Sequence, residues 1–452
     1  MRSRTPPPKP PIRSITPIWT TGIGSAWRKY IRKERWQSLR AWKIGVRNGQ
    51  IGVLEWRSHE PLSGSNSSSL SSRSTRLRGG ASRLNGAKRW NELNHFYELQ
   101  YFKIPSVQEA RARSPGMDLR SFLDDLQERL PYDFVRVERT VSPRQFDVTA
   151  LLQHLENQKK FPVLLFEKPL DLNGKPSAFP LLSNVFATRQ RCTLALGMKP
   201  ADSQLPLSLE YARREDRMIA PVTVPRGAAP VKEVIKRGDE ANVYDLPVVR
   251  HHAMDPAPYI DMTPVMKDPD EGFYNIAFQR NMVKGPRKLG LHMSPRHNWQ
   301  IHRKNEEKNR PTPVAIVISH HPAFYLGSLN VSPFGVDDYA KVGAIMGEPL
   351  RLTSSETLGE DFKVPADAEM VIEGRVLPNV KEVEGPFGEF TGYYGPQRMR
   401  NVIEVTAITY RRDAIFQHIF TGHRDTWVLG GIPKEGSLFN LIRGVVPTVK
   451  AV

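Results

Sequence analysis

The chain has 452 residues, 39% hydrophobic and 25% charged, enough for two or three domains with a sizeable core. One cysteine, Cys192, excludes an internal disulfide and fits a reducing compartment. No apolar run reaches the ~18 residues of a membrane span, and the Pro- and Arg-rich amino terminus lacks a secretory core. No membrane partner is therefore expected, and the cytoplasm is the default location. The formal charge of +18 suggests nucleic acid until it is mapped: residues 1–116 hold 22 Lys/Arg against 6 Asp/Glu, and the remaining residues hold 43 against 41.

Residues 1–116 read as a basic, low-complexity extension without a packed core. Residues 60–85 are rich in Ser, Gly and Arg, with too little apolar surface to fold. Trp36, Trp42, Trp56 and Trp90 interrupt the extension without helical or strand period. Basic residues interleaved with Trp can bind single strands by charge and stacking, yet a solvated tail is the simpler account, so nucleic acid is not expected as a partner.

Composition changes at Met117. Leu119, Phe122, Leu123, Leu126 and Leu130 fall at helical spacing behind acidic first-turn residues. A helix over Val148–Asn157 and a buried strand over Pro162–Glu167 follow, predicting an α/β domain over 117–224. From residue 225 to 428 short β segments separated by Pro, Gly and Asp turns predict a barrel or sandwich. They include Pro313–Ser319, Ala323–Asn330, Glu369–Val376 and Asn401–Tyr410, with one helix running from near Val336 to Met346. Residues 429–452 begin a further helix-like segment.

The strongest local feature is Glu384-Gly-Pro-Phe-Gly-Glu389, followed by Phe390 and Tyr394. A Gly/Pro-rich turn brings two carboxylates into one constrained segment. Beside an arginine, one can stay paired and ionised while the other gives a proton. Taken alone, such a pair is more often two surface acids. Upstream, Asn275-Ile-Ala-Phe-Gln-Arg280 alternates like a half-buried strand, and Ser294-Pro-Arg-His297 follows after a turn. Asn, His and a carboxylate suit a divalent metal of the Mg/Mn kind. A turn-capping Asn275 and an ordinary His297 remain the blander account. Neither a G-x-S-x-G elbow, an HExxH, a P-loop nor a GxGxxG cradle is present.

These pieces occur together and in order with others. Leu182–Arg189 and Leu196-Gly197 are followed by Pro230–Val234, Leu246–His252, Asp255 and Pro258–Ile260. Val364–Glu369 and Glu373-Gly374 then precede Glu384–Glu389. In this, residues 117–450 resemble the UbiD family of decarboxylases. The resemblance implies an α/β (α+β) fold: an N-terminal α/β domain, then a split β-barrel that binds prenylated FMN, with a C-terminal α/β dimerisation domain largely missing. It implies Mn2+ and K+ beside the flavin, a flavin prenyltransferase as supplier, a homo-oligomer in the full-length form, and a small aromatic or α,β-unsaturated carboxylic acid as substrate.

The family's catalytic Arg and two Glu map onto Arg280, Glu384 and Glu389. Glu389 is expected to donate the proton from a pocket lined by Phe387, Phe390 and Tyr394, its pKa raised by desolvation. Flavin contacts map onto Asn275, Ile276, Ala277, Arg280, Arg296, His297, Ser328, Asn330 and Thr421. The metal ligands map onto Asn275 and His297. The family's ligating Glu falls on Thr353, leaving Glu356 or Glu348 to supply the carboxylate, with Glu356 chosen. The family continues well beyond Thr421-Gly-His423, whereas about thirty residues follow here; if the natural protein ends at Val452, weak oligomerisation and poor cofactor retention are expected. Two alternatives stay open: a carboxylase subunit acting on a phenolic substrate, and a non-catalytic partner with weakened cofactor binding.

Overall fold

A computed structural model describes residues 116–452 and, as a separate unit, the backbone of a hairpin, Trp42–Arg47 paired with Gln50–Glu55. The extension's other residues, and their expected lack of structure, lie outside the described residues. The hairpin was not anticipated. Its register pairs Arg47 with Gln50, so Asn48-Gly49 stands between the strands in sequence, the dipeptide that most often joins two-residue hairpins.

The main unit begins with a helix over Leu119–Arg129 that buries Leu119, Phe122, Leu123 and Leu126, the apolar stripe expected. The acid lies one position earlier than a first-turn charge. Asp118 is the N-cap, accepting from Ser121 N at 2.9 Å while Ser121 Oγ accepts from the Asp118 N–H, a reciprocal cap. A second helix covers Asp147–Asn157. The strands Phe134–Val137, Val163–Phe166 and Leu181–Ser183 form a sheet whose fourth member is Phe416–His418, parallel to Leu181–Ser183. This first layer is therefore completed by chain that follows the barrel.

The barrel has six strands. Gln279–Gly285, Lys288–Leu291, Arg398–Tyr410, Met370–Glu384, Thr312–Ile318 and Tyr259–Lys267 pair in that order, and the last returns to the first. Every pairing is antiparallel, and closure leaves no free edge within the ring. Val314, Ala315, Ile316, Val317 and Ile318 are all buried, as a strand covered on both faces requires. Tyr274–Ile276 adds to Tyr259–Lys267 outside the ring. The expected barrel class is therefore the one adopted.

One expected strand is a helix. Pro322–Gly327 is helical, where Ala323–Asn330 read as β. All six residues are buried, which erases the amphipathic period. Pro322 occupies the first turn and His321 Nδ1 accepts from Ala323 N at 3.2 Å, both helix-start devices. A helix over Asp338–Met346 and a long one over Arg424–Arg443 complete the unit. Among the described residues no helix is long and apolar enough to cross a membrane.

Candidate active site

Arg280 stands at the centre. It lies on a barrel strand that pairs with Tyr259–Lys267, and its guanidinium is buried. Nε and Nη2 donate to the two oxygens of Glu384 at 2.8 Å each, the bidentate geometry that arginine favours. Nη1 donates to Glu389. Phe387 packs under the guanidinium at 5.0 Å and against Tyr259 at 4.4 Å. Burial alone would raise the Glu384 pKa, but His292 and Arg280 outweigh it and hold the carboxyl at about 2. Glu384 is fully buried, whereas 31% of the Glu389 side chain is exposed.

The Gly/Pro turn gives the two glutamates these different settings. Glu384 ends the long strand Met370–Glu384, opposite Arg398, so its position is fixed by the ladder. Glu389 follows the short pairing of Phe387–Gly388 with Tyr394–Gly395 and donates its N–H to Tyr393 O. Gly388 is obligatory here: a Cβ would lie 2.1 Å from His252 Cδ2. Asp255, fully buried, clamps both segments, accepting from His252 N at 2.8 Å and Gly388 N at 3.0 Å. The apolar pocket expected around Glu389 is only partly present. Phe387 is buried and Tyr394 half-buried, but Phe390 is 59% exposed, its backbone carbonyl accepting from the Trp427 indole N–H.

A second cluster adjoins the first along the same chain segment. His297 Nδ1 faces Asn275 Oδ1 at 3.1 Å, His297 being the first residue of the helix His297–Glu306. Asn275 is oriented by Asn298, whose Oδ1 accepts from Asn275 Nδ2 at 2.8 Å. Ile276 is buried and Ala277 half-buried. Asn330 is tied to this side through Asp338, which also accepts from Ile276 N, whereas Ser328 donates locally to Phe324 O. Arg296 is exposed at the rim. Thr421 belongs instead to the Arg280 cluster, its hydroxyl donating to Asp261.

Glu356 is not brought to Asn275 and His297. Its carboxylate lies among Lys232, Arg226 and Arg237, and its N–H donates to Glu373. Glu373, Ala315, Val265 and Ile276 are successive register partners, which separates Glu356's anchor from the Asn275 strand by three spacings, roughly 14 Å. Three cations around one carboxylate account for it as a structural ion pair.

Two carboxylates were missed. Asp338 Oδ2 accepts from Ile276 N at 2.7 Å, and its Oδ1 accepts from Asn330 at 2.9 Å. Burial pushes its pKa to about 7. The sequence signal was the doublet Asp337-Asp338: Asp337 caps the helix through Ala340 N, leaving the second acid free for another task. Asp261 is the other. It sits directly opposite Arg280 in the antiparallel register, and only that pairing reveals it.

A buried arginine gripped by one ionised glutamate and touched by a second, in a six-stranded barrel with Asn275 and His297 beside it, defines a site built to hold a carboxylate and pass a proton. Comparison with known proteins makes the assignment definite. Residues 222–424 match the 3-octaprenyl-4-hydroxybenzoate carboxy-lyase Rift-related domain, and residues 126–205 match the N-terminal domain of the same enzymes. A phenolic acid decarboxylase of Sedimentibacter hydroxybenzoicus is 30% identical over 347 residues, covering 74% of this chain and 70% of that one. An anhydromevalonate phosphate decarboxylase of Methanothermobacter thermautotrophicus is 29% identical over 339 residues, covering 74% and 73%. An evolved dimeric form of the UbiD-class enzyme HmfF from Pelotomaculum thermopropionicum, in complex with prFMN, superposes with a TM-score of 0.68 at 36% identity over 74% of this chain and 75% of that one. The chain belongs to the UbiD family, and it is a carboxy-lyase.

Proposed function

We propose that this enzyme decarboxylates, reversibly and without net oxidation, an aromatic or α,β-unsaturated carboxylic acid using prenylated FMN. The observation that carries the reading is Arg280 with one edge fixed by Glu384 and its remaining Nη1 turned toward the half-exposed Glu389. Glu384, ionised and buried, keeps the guanidinium charged and oriented. Nη1 is then the donor that meets the substrate carboxylate when Glu389 swings aside. Glu389, reachable by solvent, hands a proton to the carbon that has lost CO2 and recovers it from water. In the carboxylation direction the same oxygen takes the proton. The prenylated flavin, when bound, supplies the electron sink for this chemistry.

Asn275, His297 and Asp338 would hold a divalent cation at the flavin phosphate. They form a mixed N/O donor set that suits Mn2+, and His297, its pKa lowered by burial and Arg296, keeps a neutral ring for ligation. Among the described residues no three His, Cys, Asp or Glu side chains converge as a metal group, so the amide of Asn275 is essential to this assignment. Ile276, Ala277, Arg296, Ser328, Asn330 and Thr421 would line the flavin, with K+ at the same phosphate as a family expectation. Glu356, already neutralised by three cations, leaves the metal set.

The aromatic or unsaturated substrate is supported by the relatives, one named for phenolic acids and one for anhydromevalonate phosphate, and by the Phe387–Tyr259 wall beside Arg280. A flavin prenyltransferase as supplier, a homo-oligomer in the full-length form and a cytoplasmic site belong to the same proposal. The test is co-expression with a flavin prenyltransferase and assay of CO2 release from a panel of aromatic and acrylic acids. Glu389→Gln is expected to lower turnover at least 100-fold while keeping the flavin. A bound flavin with wild-type turnover in that variant removes Glu389 from the mechanism. No bound chromophore and no CO2 release favour a non-catalytic partner.

A further inference from the structure

Arg280 carries one positive charge, and four carboxylates share its surroundings, Asp255 among them. Glu384 and Glu389 take its donors directly. Asp261 is the third. It is paired with Arg280 across the ladder between Gln279–Gly285 and Tyr259–Lys267, and directly opposed residues project to the same face with Cβ atoms about 5 Å apart. The guanidinium nonetheless gives its hydrogen bonds to the two glutamates, and Asp261 accepts one from the Thr421 hydroxyl. Thr421 is held in turn by its own carbonyl, hydrogen-bonded to His252 Nε2 at 2.8 Å.

An anionic substrate that binds at Arg280 therefore meets Asp261 as a like charge across the ladder. Desolvated like charges at this range repel strongly, so one carboxyl must take a proton for the substrate to bind. Glu384 is excluded, because two charge-assisted bonds hold it ionised at about 2. Asp255 is also raised to about 7 by burial, but both of its oxygens already accept an N–H, from His252 and from Gly388, and a proton would displace one of them. Glu389 touches Arg280 itself, and in the proposed reaction its proton goes to the product carbon. Among the described residues Asp261 has no cation in contact, and its hydrogen-bond partner is the neutral Thr421 hydroxyl. The groups facing it are Arg280 across the ladder, Glu389 and Asp255 from the flanking loops, Tyr259 on its own strand, and Thr421.

Building on the proposed function, we infer that Asp261 is the carboxyl that takes up a proton when an anionic substrate enters, turning the wall opposite Arg280 from anion to hydrogen-bond donor. Burial, reinforced by Glu389 and Asp255 against the pull of Arg280, brings its pKa to about 7, so the proton is available at neutral pH. Asp261 is thus a positioning residue that makes carboxylate binding depend on pH.

The test measures binding to the full-length, flavin-loaded enzyme by calorimetry from pH 5.5 to 8.5, with benzoate as the anionic probe and benzamide as its neutral counterpart. Benzoate affinity is expected to fall ~tenfold per pH unit above pH 7 while benzamide affinity stays level. Asp261→Asn, a neutral isostere, is expected to flatten the benzoate profile and to bind benzoate more than tenfold tighter than wild type at pH 8.5. Asp261→Glu is expected to restore the slope. Should the Asn variant misfold by circular dichroism, Asp261→Ser serves the same comparison. A wild-type slope retained in the neutral variant overturns the role of Asp261 alone. Failure of benzoate to bind at any pH, with benzamide bound, overturns carboxylate recognition by Arg280 as well.

Discussion

Gly388 shows how tightly single residues define this site. Its missing side chain is occupied by the His252 ring, and its N–H is one of the two that Asp255 holds. Gly388→Ala is expected to cost about 1–3 kcal/mol, the usual penalty of overpacking, and to displace the loop that carries Glu389. Thermal unfolding with flavin retention checks this, and adding His252→Ala should recover part of the lost stability by making room for the methyl. At this scale the sequence was informative where neighbours in the chain are neighbours in space. Glu384, Glu389 and Gly388 share one turn, and Arg280 follows Asn275 by one segment. Asp261 and Asp338 were invisible for the opposite reason. One acquires its surroundings only from strand register, and the other looked like a second helix-capping acid.

Among the elements, the first helix is held by a single aspartate with two functions. Asp118 caps it through Ser121 N and also accepts from Arg411 Nη1 at 2.8 Å. Burial opposes its ionisation, but the Ser121 and Arg411 contacts prevail and lower its pKa. Asp118→Ala is expected to cost about 3 kcal/mol, because a buried cation loses a partner as well as the helix losing its cap. Asp118→Asn keeps the cap, so the Ala variant should be less stable than the Asn variant by about 1 kcal/mol in denaturant unfolding. The Leu119–Arg129 helix was legible because one face is apolar. The Pro322–Gly327 helix was not, because a fully buried helix has no polar face to mark its period. Phe416–His418 escaped for want of length: three residues carry no pattern, and their pairing with Leu181–Ser183 is decided by the whole unit.

For the whole molecule, two sets of desolvated ionisable groups oppose one another. Burial raises Asp255, Asp261 and Asp338 to about 7 and Asp367 and Asp425 to about 6. Folded, they keep protons that the unfolded chain loses near pH 3.9, so their contribution is complete below that pH and disappears as pH rises through 6–7. Burial lowers His252 and His321 to about 4 and His320 and His418 to about 3. Their contribution is complete above the unfolded value near 6.5 and is lost as pH falls toward 3–4. With His251, which burial also lowers well below its ordinary value, five groups oppose five and nearly cancel between pH 4.5 and 6.5, leaving a shallow net slope. Below pH 4 only the histidines and the ion-paired carboxylates such as Glu384 remain in play, and stability should fall steeply. Thermal unfolding in steps from pH 3.5 to 8 should show this plateau and acid edge; a steady climb from pH 4 to 7 would mean that the aspartates are ionised in the folded protein.

The strand that closes the first layer also sets a timetable. Leu181–Ser183 emerges from the ribosome long before its partner Phe416–His418. At roughly 5–20 residues per second, the intervening chain takes on the order of ten to fifty seconds to make. During that interval the first layer presents a bare β edge made of Leu181, Leu182 and Ser183, the kind of edge that invites pairing with another chain. The nascent protein is therefore most vulnerable in the middle of its synthesis, and a chaperone that covers this edge would act before the active site exists.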